Sequence, residues 1–142
     1  MTDRVFLDTN ILVYAIDCAP TNVPKRDRAR RLIHEHMDAE TGVISIQVLQ
    51  EFYVASTRRI RVPLSPDEAL EFIHYVSVLD TLTPTLEIVT AAIGLHQKHG
   101  FSFWDAMIIQ SAVVANCNIL YSEDLQHGFQ LASLSIQNPF LK

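Results

Sequence analysis

The sequence predicts a layered α/β fold, a mostly parallel sheet flanked by helices. Short apolar runs alternate with longer stretches of helical period along the 142 residues, and one helical stretch is apolar nearly all the way round, as suits a helix enclosed on most sides. Two of the apolar runs are followed directly by acidic residues, at the carboxyl ends of strands where such sheets hold their ligands.

Taken in order, Val5 to Asp8 reads as a buried strand, and Ile11 to Ile16 continue apolar as the helix behind it. Asp8, Thr9 and Asn10 at the joint are residue types that accept hydrogen bonds from the free N–H groups of a helix start. PKRDRARRLIHEHMDA, residues 24–39, forms a helix with Ala29, Leu32, Ile33 and Met37 on one face. The strand Gly42 to Ser45 leads into IQVLQEFYVASTRR, a helix expected to turn Ile46, Leu49, Phe52 and Tyr53 inward. SPDEALEFIHYVSVL opens on a capping box, Ser65 to Glu68, with proline at the first helical position. A short strand at Asp80 to Thr83 precedes LEIVTAAIGLHQKHG, which stops at Gly100. WDAMIIQSAVVANC is the enclosed helix, broken only by Gln110, Ser111 and Asn116, and strands at Ile119 to Ser122 and Ser133 to Ile136 complete the sheet.

With 49% hydrophobic and 19% charged residues, the chain reads as one domain over residues 1–142. Cys18 and Cys117 are too few for a disulfide framework and too far apart for a metal pair, so a reducing cytoplasm is expected. No early stretch reads as a signal peptide and none is long enough to span a membrane. A net charge of -5 argues against a protein that coats nucleic acid by charge alone. Basic residues nevertheless cluster in PKRDRARR and TRRIR, where Arg26, Arg30, Arg58 and Arg59 are candidates for phosphate contacts and equally suit solvated helix faces.

Four acids stand out. Asp8 and Asp124 follow strands, Glu51 lies at the edge of an apolar helical arc, and Asp105 sits in the first turn of the enclosed helix, three residues after Ser102. Each has an ordinary explanation in a cap, a turn or a surface ion pair, but the topology brings all four toward one edge of the sheet. Grouped carboxylates repel, and a divalent cation turns that repulsion into attraction. Oxygen ligands suit Mg²⁺ or Mn²⁺ rather than zinc. His34, His36, His96 and His99 lack a matching thiolate or carboxylate set and are expected at the surface or rim. Trp104, beside Asp105, has the face to stack on a base, though at the start of a buried helix it is expected in the core.

The order FLDTN, ISIQVLQEFY, SFWDAMIIQSA, ILYSEDLQHG resembles the PIN-domain ribonucleases, and among them the VapC-type toxins of bacterial toxin–antitoxin pairs, over essentially the whole chain. The resemblance implies a three-layer PIN-like fold and a Mg²⁺- or Mn²⁺-dependent endoribonuclease. By position, Asp8, Glu51 and Asp105 match the family's principal acids, and Asp124 the fourth through the Ser-x-Asp arrangement of Ser122 to Asp124, with Glu123 able to share or take its role. Asp8, Asp105 and Asp124 would hold metal, while Thr9, Asn10 and Ser45 match polar positions that support the first carboxylate. An RNA substrate, a cognate antitoxin and a homodimer are also implied, with the long helices at residues 24–39 and 65–79 offering a groove for an antitoxin helix. The alternatives are a non-cleaving PIN-like domain that binds RNA or a partner and a haloacid-dehalogenase-like phosphatase. The phosphatase wants a general acid two residues after the first aspartate, where this chain has Asn10.

Overall fold

The computed structural model describes residues 3–141. The chain runs β1 (Val5–Leu7), α1 (Thr9–Ile16), a 3-10 turn (Pro20–Asn22), α2 (Val23–Asp38), β2 (Gly42–Ser45), α3 (Ile46–Arg58), α4 (Pro66–Val76), β3 (Asp80–Leu82), α5 (Leu86–His99), α6 (Phe103–Val114), β4 (Ile119–Tyr121), β5 (Gln130–Leu131) and β6 (Leu134–Gln137). The strands form one six-stranded sheet in the order β3-β2-β1-β4-β6-β5, flanked by the helices. Every pairing is parallel except β5 with β6.

The strand order fixes where a site can form. From β1 the chain moves outward to β2 and β3, then returns across the sheet to β4, so the direction reverses between β1 and β4. That is a topological switch point, where connections leave in opposite directions and open a crevice at the carboxyl ends of two neighbouring strands. Leu7 pairs with Tyr121 in this register, and the next residues of the two strands are Asp8 and Ser122. Val5, Phe6 and Leu7 have no exposed surface, as a parallel strand covered on both faces requires.

Several local signals act as the sequence indicates. Ser65 and Glu68 make both bonds of the capping box, with Pro66 in the first turn of α4. Gly100 closes α5 at φ 76°, a left-handed conformation cheap only for glycine. In α6, Ala106 to Ile109, Ala112 and also Ser111 are buried, so the serine expected at the surface lies inside.

Other details correct the reading. In α3 the buried residues are Gln47, Val48, Phe52 and Ser56, while Ile46 and Tyr53 are exposed. Two polar residues in the buried stripe and two large apolar ones outside it rotate the apparent face. His36 is buried where a surface or rim position was expected: its Nδ1 is 2.8 Å from Thr41 Oγ1, burial lowers its pKa, and Met37 beside it is only half-buried. Gln130–Leu131 is an additional strand. It pairs with β6 through a two-residue turn in which Ala132 takes φ 53°, a turn no glycine announces.

Candidate active site

Asp8 leaves β1 at the switch point and is the N-cap of α1, its Oδ1 accepting the Thr9 backbone N–H at 2.7 Å. The capping role is therefore real. The other oxygen, Oδ2, accepts the hydroxyl of Ser122 at 2.7 Å. Ser122 has no exposed surface, and its Oγ also receives the backbone N–H groups of Asp124 and Leu125 at 3.2 and 3.3 Å and the Asn10 amide at 3.3 Å. With its acceptor capacity taken by N–H donors, its single proton is committed to Asp8.

Asp8 is 7% exposed, and its pKa is raised to about 6, first by burial. The bonds from Ser122 and Thr9 pull it back down, and the negative charges of Glu51 and Asp124 push it up again. The carboxylate thus sits in a place that disfavours its charge and beside two further acids that disfavour it more.

The remaining acids are held by the residues around Asp8. Thr9 donates its hydroxyl to Glu51 Oε1 at 2.8 Å, joining α1 to α3. Asn10 donates its amide to Asp124 Oδ2 at 3.3 Å and accepts the Glu123 backbone N–H at 3.1 Å. Its amide nitrogen is spent on neighbours and carries no acid function, which removes the phosphatase reading. Ser102 caps α6 by accepting the Asp105 N–H at 3.1 Å. Asp8, Glu51, Asp105 and Asp124 all line one cavity of about 710 Å³, together with Thr9, Asn10 and Glu123.

All the charged donors are carboxylates, a set that fits a hard divalent cation rather than zinc. Among the described residues, however, no three His, Cys, Asp or Glu side chains are already grouped to hold an ion. The four acids share a cavity without forming a closed triad.

The PIN domain family model matches residues 5–130, almost the whole length from β1 to β5. The chain belongs to the PIN domain family. Among solved structures, the fold of this PIN domain is similar to that of Mycobacterium tuberculosis VapC20, a sarcin-ricin loop cleaving toxin, with a TM-score of 0.68 and 20% identity over 84% of this chain and 89% of that one. It is also similar to VapBC2 from Rickettsia felis, solved bound to a DNA fragment from its promoter, with a TM-score of 0.66 and 18% identity over 94% of this chain and 97% of that one. A comparison with curated protein sequences finds no significant match.

Within this PIN domain, the neighbours Glu123 and Asp124 are unlike. Glu123 receives the Tyr14 hydroxyl at 2.5 Å on one oxygen and Lys25 Nζ at 2.5 Å on the other, and Lys25 lies over the rings of Tyr14 and Phe140. The pKa of Lys25 is raised, chiefly by that bond to Glu123. Asp124 is exposed and held through Asn10. Ser45 is fully buried, caps α3 through the Val48 N–H at 3.3 Å, and is not among the cavity-lining residues. Of the candidate arginines only Arg59 lines the cavity. Arg30 donates to the Ala15 carbonyl at 2.7 Å, Arg26 Nε lies 3.8 Å from Asp27, and Arg58 is exposed at the end of α3.

Two participants, Asp17 and Gln47, escape the sequence reading, and a third, Ser122, enters it only as the start of the Ser-x-Asp arrangement that ends at Asp124. Ser122 is the hub around Asp8, Asp17 lines the cavity while accepting Ala19 N–H and the Asn22 amide at 2.9 and 3.0 Å, and Gln47 donates to the Trp104 carbonyl at 3.0 Å. Only Ser122 leaves a trace, as a polar residue ending an apolar strand. Trp104, expected in the core, is 62% exposed and lines the cavity.

Proposed function

We propose that this PIN domain is a Mg²⁺- or Mn²⁺-dependent endoribonuclease, the VapC-type toxin of a toxin–antitoxin pair. The observation that carries the reading is the meeting of Asp8, Glu51, Asp105 and Asp124, from four separate segments, in one cavity at the switch point of a PIN fold. A protein has little reason to crowd acids around a buried aspartate unless a cation compensates them. The likeness to VapC20 and VapBC2 in fold supports the toxin assignment.

In this reading Asp8, Asp105 and Asp124 would hold the cation. When bound, a divalent ion supplies charge neutralisation at the scissile phosphate and acidifies the attacking water. Glu51, fixed by the Thr9 hydroxyl, would accept the proton that the water loses as it adds to phosphorus, while the bond from phosphorus to the leaving ribose oxygen breaks and that oxygen takes a proton from solvent. Ser122, Thr9 and Asn10 act through the carboxylates they orient. A cognate antitoxin, a homodimer and a cytoplasmic setting belong to the same proposal. Cys18 and Cys117 are both free thiols, and no described helix is long and apolar enough to cross a membrane. The helices α2 and α4, between which an antitoxin groove was expected, are bridged by Tyr75 and His34 at 3.4 Å.

The test is cleavage of unstructured RNA by metal-free protein after addition of Mg²⁺ or Mn²⁺, with the Asp8→Asn variant alongside. The expected result is cleavage by the parent only, stopped by chelator. Undiminished cleavage in excess chelator sinks the metal mechanism. RNA that binds but stays intact with either ion favours the second reading, a non-cleaving PIN-like binding domain, for which the open spacing of the acids speaks.

A further inference from the structure

We propose that Trp104 is a stacking platform for one unpaired nucleobase of the RNA, seated in the cavity next to the scissile phosphate, with Arg59 receiving an adjoining phosphate. The inference rests on the ribonuclease reading and adds to it the part of the substrate that the acids cannot bind.

Three features set Trp104 apart from a misplaced core residue. The helix whose first turn carries it buries Ala106 to Ile109, Ser111 and Ala112, yet Trp104 is 62% exposed. It lines the same cavity as Asp8, Glu51 and Asp105. Its position is also fixed from two sides. Gln47, itself 7% exposed, donates its amide to the Trp104 carbonyl at 3.0 Å, and Phe103 packs edge-on against the indole with ring centroids 5.1 Å apart. A buried glutamine spent on this one backbone carbonyl ties α3, which carries Glu51, to the first turn of α6, which carries Trp104 and Asp105.

The chemistry of the cavity selects the occupant. Its wall is strongly acidic, and among the described residues lining it Arg59 is the only Lys or Arg. Phosphates are repelled from such a wall except at Arg59 and at the cation. A nucleobase is neutral and offers a flat π face, so it enters where a phosphate is refused, and stacking on an indole tolerates any base. About 710 Å³ lies within the range of roughly 300–1,000 Å³ that ligand pockets occupy. The base must be splayed from its neighbours to lie on the indole, which selects loops and single strands over duplex.

Trp104 is the sole tryptophan of the chain, so its emission reports on the contact directly. An unstructured, end-labelled RNA decamer of mixed sequence is titrated into Glu51→Gln protein in Mg²⁺, which keeps the three carboxylates proposed to hold the cation, with fluorescence anisotropy reporting binding and indole emission reporting stacking. An abasic decamer of the same length serves as control. Saturable quenching by the RNA, absent with the abasic chain, is the expected result. In the cleaving protein Trp104→Ala should raise KM by about 5- to 150-fold, the equivalent of one lost stack, with kcat changed far less, and Trp104→Phe should recover part of the loss. Binding seen by anisotropy with unchanged indole emission, or parental KM in Trp104→Ala, overturns the platform and leaves the nuclease intact. Absence of both RNA binding and cleavage in the parent overturns the nuclease reading and the platform with it. An arginine-rich peptide that quenches the indole where RNA does not gives the face to a protein partner and overturns the proposal.

Discussion

Asp8 is both a helix cap and a member of an acid cluster, and the two roles pull against each other as pH changes. Its folded pKa of about 6 lies above the ordinary 3.8, so between these values the folded state binds a proton that the unfolded chain has released. Stability therefore falls as pH rises from about 4 to about 6, by roughly 3 kcal/mol in all. An Asp8→Asn variant has no such titration. Urea midpoints of the two metal-free proteins should diverge with pH, the parent losing ground steadily up to neutrality; parallel curves would remove the burial argument. A second contrast concerns Glu123 and Asp124. With Lys25 and Tyr14 on its two oxygens, Glu123 is a clamp at the cavity rim. Glu123→Gln should cost about 1 kcal/mol or less, as part-exposed pairs do, and leave cleavage within a few-fold, whereas Asp124→Asn should lower kcat roughly 100-fold or more. Similar losses for both would make the pair share one role. The four acids were legible because each interrupts or ends an apolar pattern. Gln47 was not, and Ser122 was visible only as the companion of Asp124 and not as the donor to Asp8, since serine and glutamine fit most environments and only the fold shows where their protons are committed.

Helix α3 shows why element existence is easier to read than element phase. Its helical period is plain, but Gln47 and Ser56 occupy the buried stripe with Val48 and Phe52, while Ile46 and Tyr53 lie outside. Gln47 is inside because it has a partner in the Trp104 carbonyl, a bond invisible until α6 is in place. The hairpin of β5 and β6 was half-missed for a related reason: its turn uses Ala132 at positive φ rather than glycine. The cap of α3 offers a test at this scale. Ser45 and Ser65 both cap helices through their side chains, but Ser45 is buried at the start of the helix that carries Glu51 and lines the cavity, whereas α4 does not reach it. Ser45→Ala and Ser65→Ala should each cost about 1–2 kcal/mol. Only the first should also lower kcat, measured at a temperature where both variants remain folded. Equal activities would mean that Glu51 keeps its position without the cap.

At the scale of the molecule, the order β3-β2-β1-β4-β6-β5 sets Asp8 beside Ser122 and Asp124, and the packing of α3 and α6 adds Glu51 and Asp105 to the same cavity. The fold itself therefore holds like charges together at a cost. A cation that binds only the folded protein offsets that cost and raises stability through its affinity, by about 2.7 kcal/mol at about 100 times its Kd. Mn²⁺ should accordingly raise the melting temperature of the parent at neutral pH, in a concentration-dependent way. The rise should shrink below pH 6, where the protonated Asp8 no longer attracts an ion. Asp8→Asn and Asp105→Asn should melt at or above the parent without metal, having lost one like charge, and should gain little from Mn²⁺. Glu123→Gln should keep the full gain, since its parent carboxylate already faces Lys25 rather than the cation. A gain of the same size in all four proteins would place the ion elsewhere on the acidic surface, and the cavity would then need another explanation for its acids.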